Sequence, residues 1–368
     1  MNDISVASVI EGFGFPGELV ECTEIRTGHI NRPYRLAFSQ SGQTRRYLLQ
    51  RINTFVFRKP DEVMENVLLV TEHLRRALEA QGVDASRRVL RVVMTGGGLP
   101  LYMDARGGAW RAYDYLEGAH SVDQVESPAQ FEEVGRAFGD FQSMLADFPI
   151  EKLHDTIPDF HDTVKRMAAF EASVLADAAG RASQVGEEIE KVRRRRGTMG
   201  RIVEMLKTGA LPLRVTHNDT KCNNVMVDDA TGRAMCVVDL DTVMAGSVLY
   251  DFGDAIRFGA STAAEDEPDV GKVRLDMAMF DAYARGFISR AGAHLTRAEL
   301  DNLPLGAMVM TYENGLRFLK DYLDGDVYYR IDYPEHNLVR ARCQFRLLEN
   351  MESRRDEMEA SIARYTLG

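Results

Sequence analysis

The stretch at 213–242, LRVTHNDTKCNNVMVDDATGRAMCVVDLDT, constrains this chain more than any other part of it. Two short apolar runs, 225–227 and 235–238, flank Asp228-Asp229-Ala230-Thr231-Gly232, which is turn chemistry. The stretch therefore predicts an antiparallel hairpin. With Val227 opposite Cys236, Asn224 falls opposite Asp239. Directly opposed residues hold their Cβ atoms about 5 Å apart. At that spacing an amide oxygen and a carboxylate can share one hard cation such as Mg²⁺. Asp219 lies on the loop entering the hairpin and can face the same cation from the other side.

Phosphoryl transfer requires such a set: one carboxylate to orient an acceptor hydroxyl and take its proton, and oxygen ligands to hold metal on the moving phosphate. Any of these residues alone could simply cap a loop. In the order His217-x-Asp219-x-x-x-x-Asn224, hairpin, Asp239, they predict a kinase that uses ATP and Mg²⁺. Asp251-Phe252-Gly253 competes for the metal role, because it spells the metal motif of protein kinases. There the Asp follows the catalytic Asp by roughly twenty residues, across a hairpin. Asp239 follows Asp219 by 20 residues and Asp251 follows it by 32, so Asp239 fits.

The rest of the chain reads as a small β-rich lobe followed by a larger helical one. Residues 34–38 and 46–52 predict paired strands around a Ser41-Gly42 turn, and 61–80 predicts a helix with Val63, Val67, Val70, Leu74 and Leu78 on one face. Residue 89–94, 101–103 and 109–116 segments add strands, so the first third is expected to hold strands and one helix. After Gly118, Phe131, Val134, Phe138 and Phe141 mark a buried helix face, a charged helical stretch runs over 162–206, and the remainder is mostly helical. The expected fold is α+β and two-lobed, with an N-terminal nucleotide-binding lobe at 1–116 and a C-terminal catalytic and acceptor-binding lobe at 117–368. That is a protein-kinase-like outline.

Composition narrows the partners. A formal net charge of −11 disfavours nucleic acid and anionic membranes as partners. The basic run from Arg193 to Arg196 reads as a solvated helix face. No apolar run approaches the roughly 18 residues of a membrane span, and residues 1–8 do not read as a signal peptide. The four scattered cysteines, Cys22, Cys222, Cys236 and Cys343, fit reduced thiols and a cytoplasmic location. No oligomeric state is assigned.

The loop HNDTKCNN at 217–224 resembles the H-x-D-x-x-x-x-N loop of the aminoglycoside phosphotransferase and choline kinase family, and Val238-Asp239-Leu240-Asp241 resembles its following I-D-x-D segment. Longer strings, among them DLDTVMAGS, DFGDAIRFGAST and YPEHNLVR, are similar to bacterial N-acetylhexosamine 1-kinases, and the resemblance covers roughly 25–350. It implies Asp219 as catalytic base, Asn224 and Asp239 as metal ligands, and a structural His217 holding the loop. It also implies that Asp241 supports the metal or binds a second one, and that Asp251 bonds the catalytic-loop backbone.

On the nucleotide side, Thr27-Gly28-His29-Ile30-Asn31 sits between two candidate strands, where a phosphate-covering loop belongs. Gly28, His29 and Asn31 are its candidate contacts. Gln50 stands where the resembling proteins place a lysine, which leaves open which cation holds the phosphates; Asn66 or Glu65 is a candidate partner there. Backbone groups near Tyr115 to Glu117 are candidates for adenine. For a neutral sugar acceptor, which needs convergent polar groups, the candidates are Asn218, Arg257, Arg317, Asp321 and Tyr328. Glu313, Arg317 and Asp321 share a helix face at four-residue steps, which equally suits an intrahelical ion-pair ladder. His154 and His161 straddle Pro158 and read as an ordered loop entering a helix. Three readings stay open: a kinase for the anomeric hydroxyl of an N-acetylhexosamine, a same-fold kinase for an amino alcohol, homoserine-like amino acid or aminoglycoside, and a non-catalytic nucleotide binder.

Overall fold

The structure is a computed structural model that describes residues 4–25 and 31–366, with side chains from residue 6 onward. The chain forms two compact units. The first takes in 1–120, 151–158 and 226–244, and the second takes in 121–150, 159–225 and 245–368.

The first unit is built on an antiparallel sheet. Helix α1 (Ile4–Phe13) precedes strands β1 (Glu18–Glu24), β2 (Arg32–Gln40) and β3 (Gln43–Arg51); α2 (Pro60–Ala80) follows, then β4 (Val92–Val93), β5 (Tyr102–Met103) and β6 (Ala109–Asp114). The sheet order is β1-β2-β3-β6-β4, with β5 also on β6. The expected turn joins β2 to β3. Ser41 and Gly42 have φ of 53° and 78°, the left-handed pair of a tight hairpin turn. Tyr34 and Leu36 then lie opposite Leu49 and Tyr47, and these four side chains are buried with Phe13, Phe15 and Trp110 in one core. Alternation along β2 and β3 puts that apolar set on one face. Helix α1 adds Val9 and Phe13 to this core, so the first third holds two helices rather than one. The hairpin Val225–Asp228 and Ala234–Val237 also forms.

The second unit is helical: α3 (Pro128–Met144), α4 (Thr163–Ala176), α5 (Gly186–Met199), α6 (Arg201–Lys207), α7 (Val248–Gly259), α8 (Met277–Ala291), α9 (Arg297–Asp301), α10 (Leu303–Asp324), α11 (His336–Ser353) and α12 (Arg355–Thr366). Phe131, Val134, Phe138 and Phe141 form the buried face of α3. The charged stretch breaks into three helices: Asp177 and Gly180 turn left-handed (φ 41° and 66°) and close α4, and Gly200 separates α5 from α6. Helices α7 and α10 touch backbone to backbone. A Cβ on Gly253 would lie 2.3 Å from Gly306 O, so only glycine fits there. Asp251-Phe252-Gly253 is thus one turn of α7, with Phe252 in the core and Gly253 at a helix crossing. No helix among the described residues is long and apolar enough to cross a membrane.

Candidate active site

The loop after Thr216 is fixed from below. His217 is fully buried, with ring centroids 5.5 and 5.9 Å from Phe138 and Phe141 in edge contacts. Asp251 accepts the backbone N–H of His217 at 2.9 Å and of Asn218 at 2.7 Å, and Gln142 Nε2 donates to the same carboxylate at 2.8 Å. Thr220 Oγ1 donates to Asp251 O, and its backbone N–H reaches Asp254 at 3.1 Å. Asn218 itself is left-handed (φ 64°), a conformation that asparagine tolerates better than most residues. Its N–H goes to Asp251 on α7, while its side-chain Nδ2 donates to Thr216 O at 3.3 Å.

This frame presents Asp219. Its side chain keeps 26% of its surface open, Lys221 Nζ is 3.0 Å from Oδ1, and Asn224 Nδ2 donates to its backbone O at 2.8 Å and to Oδ2 at 3.2 Å. Burial pushes the Asp219 carboxyl up, but Lys221, His217 and Asn224 outweigh it and hold it below its ordinary value. The Asp219 carboxylate in turn raises the Lys221 ammonium against its burial. Asn224 turns its amide nitrogen to Asp219, so its oxygen points the other way, as a ligand for a hard cation needs. Lys221 stands inside the loop motif, yet the motif alone did not set it on Asp219.

The hairpin is tighter than the sequence register. Gly232, at φ 67°, lets Gly232 N donate to Asp228 O at 2.9 Å and Asp228 N to Arg233 O at 3.0 Å. Asp228 therefore faces Arg233, and the second strand ends at Val237. Asn224 lies in a one-turn 3₁₀ helix (Cys222–Asn224), and Asp239 is left-handed (φ 59°, ψ 59°) at the start of another, Leu240–Thr242. Neither is a strand residue, so strand pairing does not place them; backbone turns do.

Gly28 and His29 lie outside the described residues. Asn31 Nδ2 donates to Asp241 Oδ2 at 2.8 Å, and its Oδ1 accepts from Asn53 N at 3.1 Å. Gln50 Oε1 accepts from Arg111 Nε at 3.0 Å, and Arg111 Nη1 bonds Asp241 Oδ1. Arg111 went unnoticed because it becomes Gln50's neighbour only when β3 pairs with β6. Asn66 is not available to phosphate. Its amide clasps His154 N, His154 O and Val243 O, each at 2.9 Å, while Glu65 meets His154 Nε2 at 2.6 Å. Tyr115 N donates to Arg46 O at 3.2 Å, and Glu117 pairs with Arg46 on the surface.

The acceptor candidates divide. Arg257 is buried, donating to Asp254 at 2.9 Å and to Glu265 at 2.6 Å. Asp321 takes the backbone N–H groups of Val327, Tyr328 and Tyr329 at 3.0, 2.8 and 2.9 Å, and Asn337 Nδ2 at 2.9 Å. Both are occupied by the protein itself. Arg317 differs: its guanidinium lies 5.9 and 5.5 Å from the ring centroids of Phe160 and Tyr329, with no ion pair or hydrogen bond among the described residues. Tyr328 is 56% exposed. Glu313, Arg317 and Asp321 do not form a ladder: no ion pair joins them among the described residues, Glu313 pairs with His161 and Arg166, and Asp321 holds backbone N–H groups.

Glu313 is fully buried, with His161 Nδ1 and Arg166 Nε each 3.0 Å from Oε1. Burial pushes its carboxyl up, yet His161 and Arg166 pull it down to about 2. A folded pKa below the unfolded 4.5 gives stability that is present above 4.5 and lost as pH falls toward 2. That is at most about 3 kcal/mol. We expect Glu313→Gln to be less stable than wild type at neutral pH and to lose less on acidification through this window. Denaturant titrations across that pH range measure both. Equal acid slopes for the two proteins would show that the pair carries no such linkage.

These features invite comparison with proteins of known structure. The aminoglycoside phosphotransferase from Alicyclobacillus acidocaldarius superposes with a TM-score of 0.59 at 12% identity, over 100% of this chain and 96% of that one. Choline kinase from Cryptosporidium parvum gives 0.58 at 13% identity, over 99% of both chains. A spectinomycin phosphotransferase, in complex with ADP and spectinomycin, gives 0.56 at 13% identity, over 95% of this chain and 98% of that one. The fold is thus the protein-kinase-like fold of aminoglycoside phosphotransferases and choline kinases. The model of the phosphotransferase enzyme family matches residues 21–286, and the chain belongs to that family.

Proposed function

We propose that this chain is an ATP- and Mg²⁺-dependent small-molecule kinase that phosphorylates the anomeric hydroxyl of an N-acetylhexosamine, giving the 1-phosphate. The observation that carries the kinase reading is Asp219, ionised and part-open on a loop fixed by Asp251. Asp219 orients the acceptor hydroxyl and takes its proton. Asn224 and Asp239 supply oxygen ligands to Mg²⁺, which neutralises charge on the phosphates when bound. We assign phosphate contacts to Gly28, His29, Asn31 and Gln50, and adenine contacts to backbone groups near Tyr115 and Glu117. We assign nucleotide binding to 1–116 and the acceptor to 117–368.

The sugar reading rests on the residue strings it shares with N-acetylhexosamine 1-kinases and on the Arg317 guanidinium, which lies over two rings and makes no ion pair or hydrogen bond among the described residues. A cation at the acceptor site suits a neutral polar substrate and opposes a cationic one. Arg317 and Tyr328 contact the acceptor, with Asn218 at the reacting end, while Arg257 and Asp321 shape the site. A pocket built to pair an acetamido group leaves buried polar atoms unmatched by a plain hexose, at roughly 1–3 kcal/mol each. N-acetylglucosamine or N-acetylgalactosamine is therefore expected to outperform glucose by about tenfold or more in ATP consumption. The product loses its reducing end. Preference for choline, ethanolamine or an aminoglycoside, or a product that still reduces an aldehyde reagent, would leave only the kinase.

A further inference from the structure

The position expected to carry a phosphate-binding lysine is Gln50, and the pairing of β3 with β6 sets Arg111 directly across from it. Arg111 and Asp241 are only 1% and 3% exposed. Arg111 Nε donates to Gln50 at 3.0 Å, and its Nη1 to one oxygen of Asp241. The other oxygen of Asp241 accepts from Asn31 at 2.8 Å. Thr156 Oγ1 donates to Asp241 O at 3.3 Å, and Asn31 Oδ1 is tied to Asn53 N. Both carboxylate oxygens of Asp241 are thus taken by the protein, and so are two donor groups of the Arg111 fork.

Asp241 sits in the 3₁₀ turn Leu240–Thr242 that begins immediately after the left-handed Asp239. A non-glycine residue keeps that conformation only where its surroundings over-determine it. One rigid guanidinium spans Gln50 and Asp241 with two of its donors, a fixed geometry that a single ammonium does not supply.

We propose that Arg111, Asp241 and Asn31 form a positioning network that aims the Asp239 carboxylate at the metal and ties to it the chain at Asn31, just before β2. The network rests on the kinase reading. It also makes Asp241 a positioning residue rather than a ligand of a second metal. Gln50 is then the neutral acceptor that an arginine neighbour needs, and a lysine at that position sets two cations side by side.

Three variants test this: Asn31→Ala, which is part-exposed and leaves the buried pair intact, Arg111→Lys, which keeps the charge but loses the fork, and Gln50→Lys. Calorimetric titration of ATP at graded Mg²⁺ gives the Mg²⁺ requirement for binding, and thermal melts report folding separately. Loss of a partner that orients a metal ligand typically costs about 10–100-fold in metal affinity. Each variant is expected to raise the Mg²⁺ requirement about tenfold or more, and to raise KM for ATP more than it lowers kcat. Variants that melt earlier but keep the wild-type Mg²⁺ requirement overturn the network and leave the kinase standing. Failure of the wild-type chain to bind ATP in a Mg²⁺-dependent way overturns the kinase reading and the network with it.

Discussion

Asp219→Asn is expected to cut turnover by about 10²–10⁴-fold while leaving ATP affinity nearly unchanged, because a positioned base and orienting group is typically worth that much. The substitution keeps the shape and removes the charge. Lys221 loses its ion-pair partner, and Asn224 loses a charged acceptor for a neutral one. The backbone frame is untouched, since Asp251 bonds the main chain of residues 217 and 218 rather than the Asp219 side chain. Because Asp219 is held below its ordinary value, it is fully ionised at neutral pH. In the proposed reaction such a carboxylate would be a weak base, so its larger task would be aiming the hydroxyl at phosphorus, which suits a loose transition state. ATP consumption with acceptor gives the turnover, and calorimetry gives the nucleotide affinity. Wild-type turnover in this variant would remove Asp219 from the chemistry.

Asp251→Ala is expected to unfold the protein rather than merely inactivate it. Three buried donors, His217 N, Asn218 N and Gln142 Nε2, lose their acceptor at once. An unpaired buried polar group costs roughly 1–3 kcal/mol. The sum, on the order of 3–9 kcal/mol, rivals the roughly 5–15 kcal/mol that holds a typical domain together. Asp251→Asn keeps the volume but aims one amide N–H at another donor, so it should also melt early. Asp239→Ala should stay folded and lose Mg²⁺-dependent turnover. Thermal melts of the three variants separate the roles. An Asp251→Ala protein that melts like wild type, and fails only when Mg²⁺ is limiting, would return the metal role to Asp251.

Much of this was legible in the sequence where the signal is local. The turn residues Ser41-Gly42 set β2 against β3, the apolar spacing over 61–80 matches α2, and the aromatic series from Phe131 marks the buried face of α3. Asp251, expected from the resemblance to bond the loop backbone, accepts the N–H groups of His217 and Asn218. What stayed hidden depends on pairings between distant parts of the chain. Arg111 meets Asp241 across 130 residues, and His161 meets Glu313 across 152. No periodicity encodes either meeting. Helix α1 was missed because its polar share is low and its face is completed only by the sheet. The hairpin register slipped because Gly232 allows a tight left-handed closure that composition alone cannot distinguish from a wider turn.

The loop at 326–329 hangs by three consecutive N–H groups from one carboxylate, that of Asp321. Main-chain donors are the same whatever side chains they carry. The identities of Val327 and Tyr328, both well exposed, are therefore decoupled from the anchor that holds them. The anchor is blind to the side chains at 327 and 328, whereas the loop bearing Asp219 is braced through the buried side chains of Asp251, Gln142 and His217. If Tyr328 meets the acceptor as proposed, side chains at 327–328 can change while their backbone anchor on Asp321 stays in place.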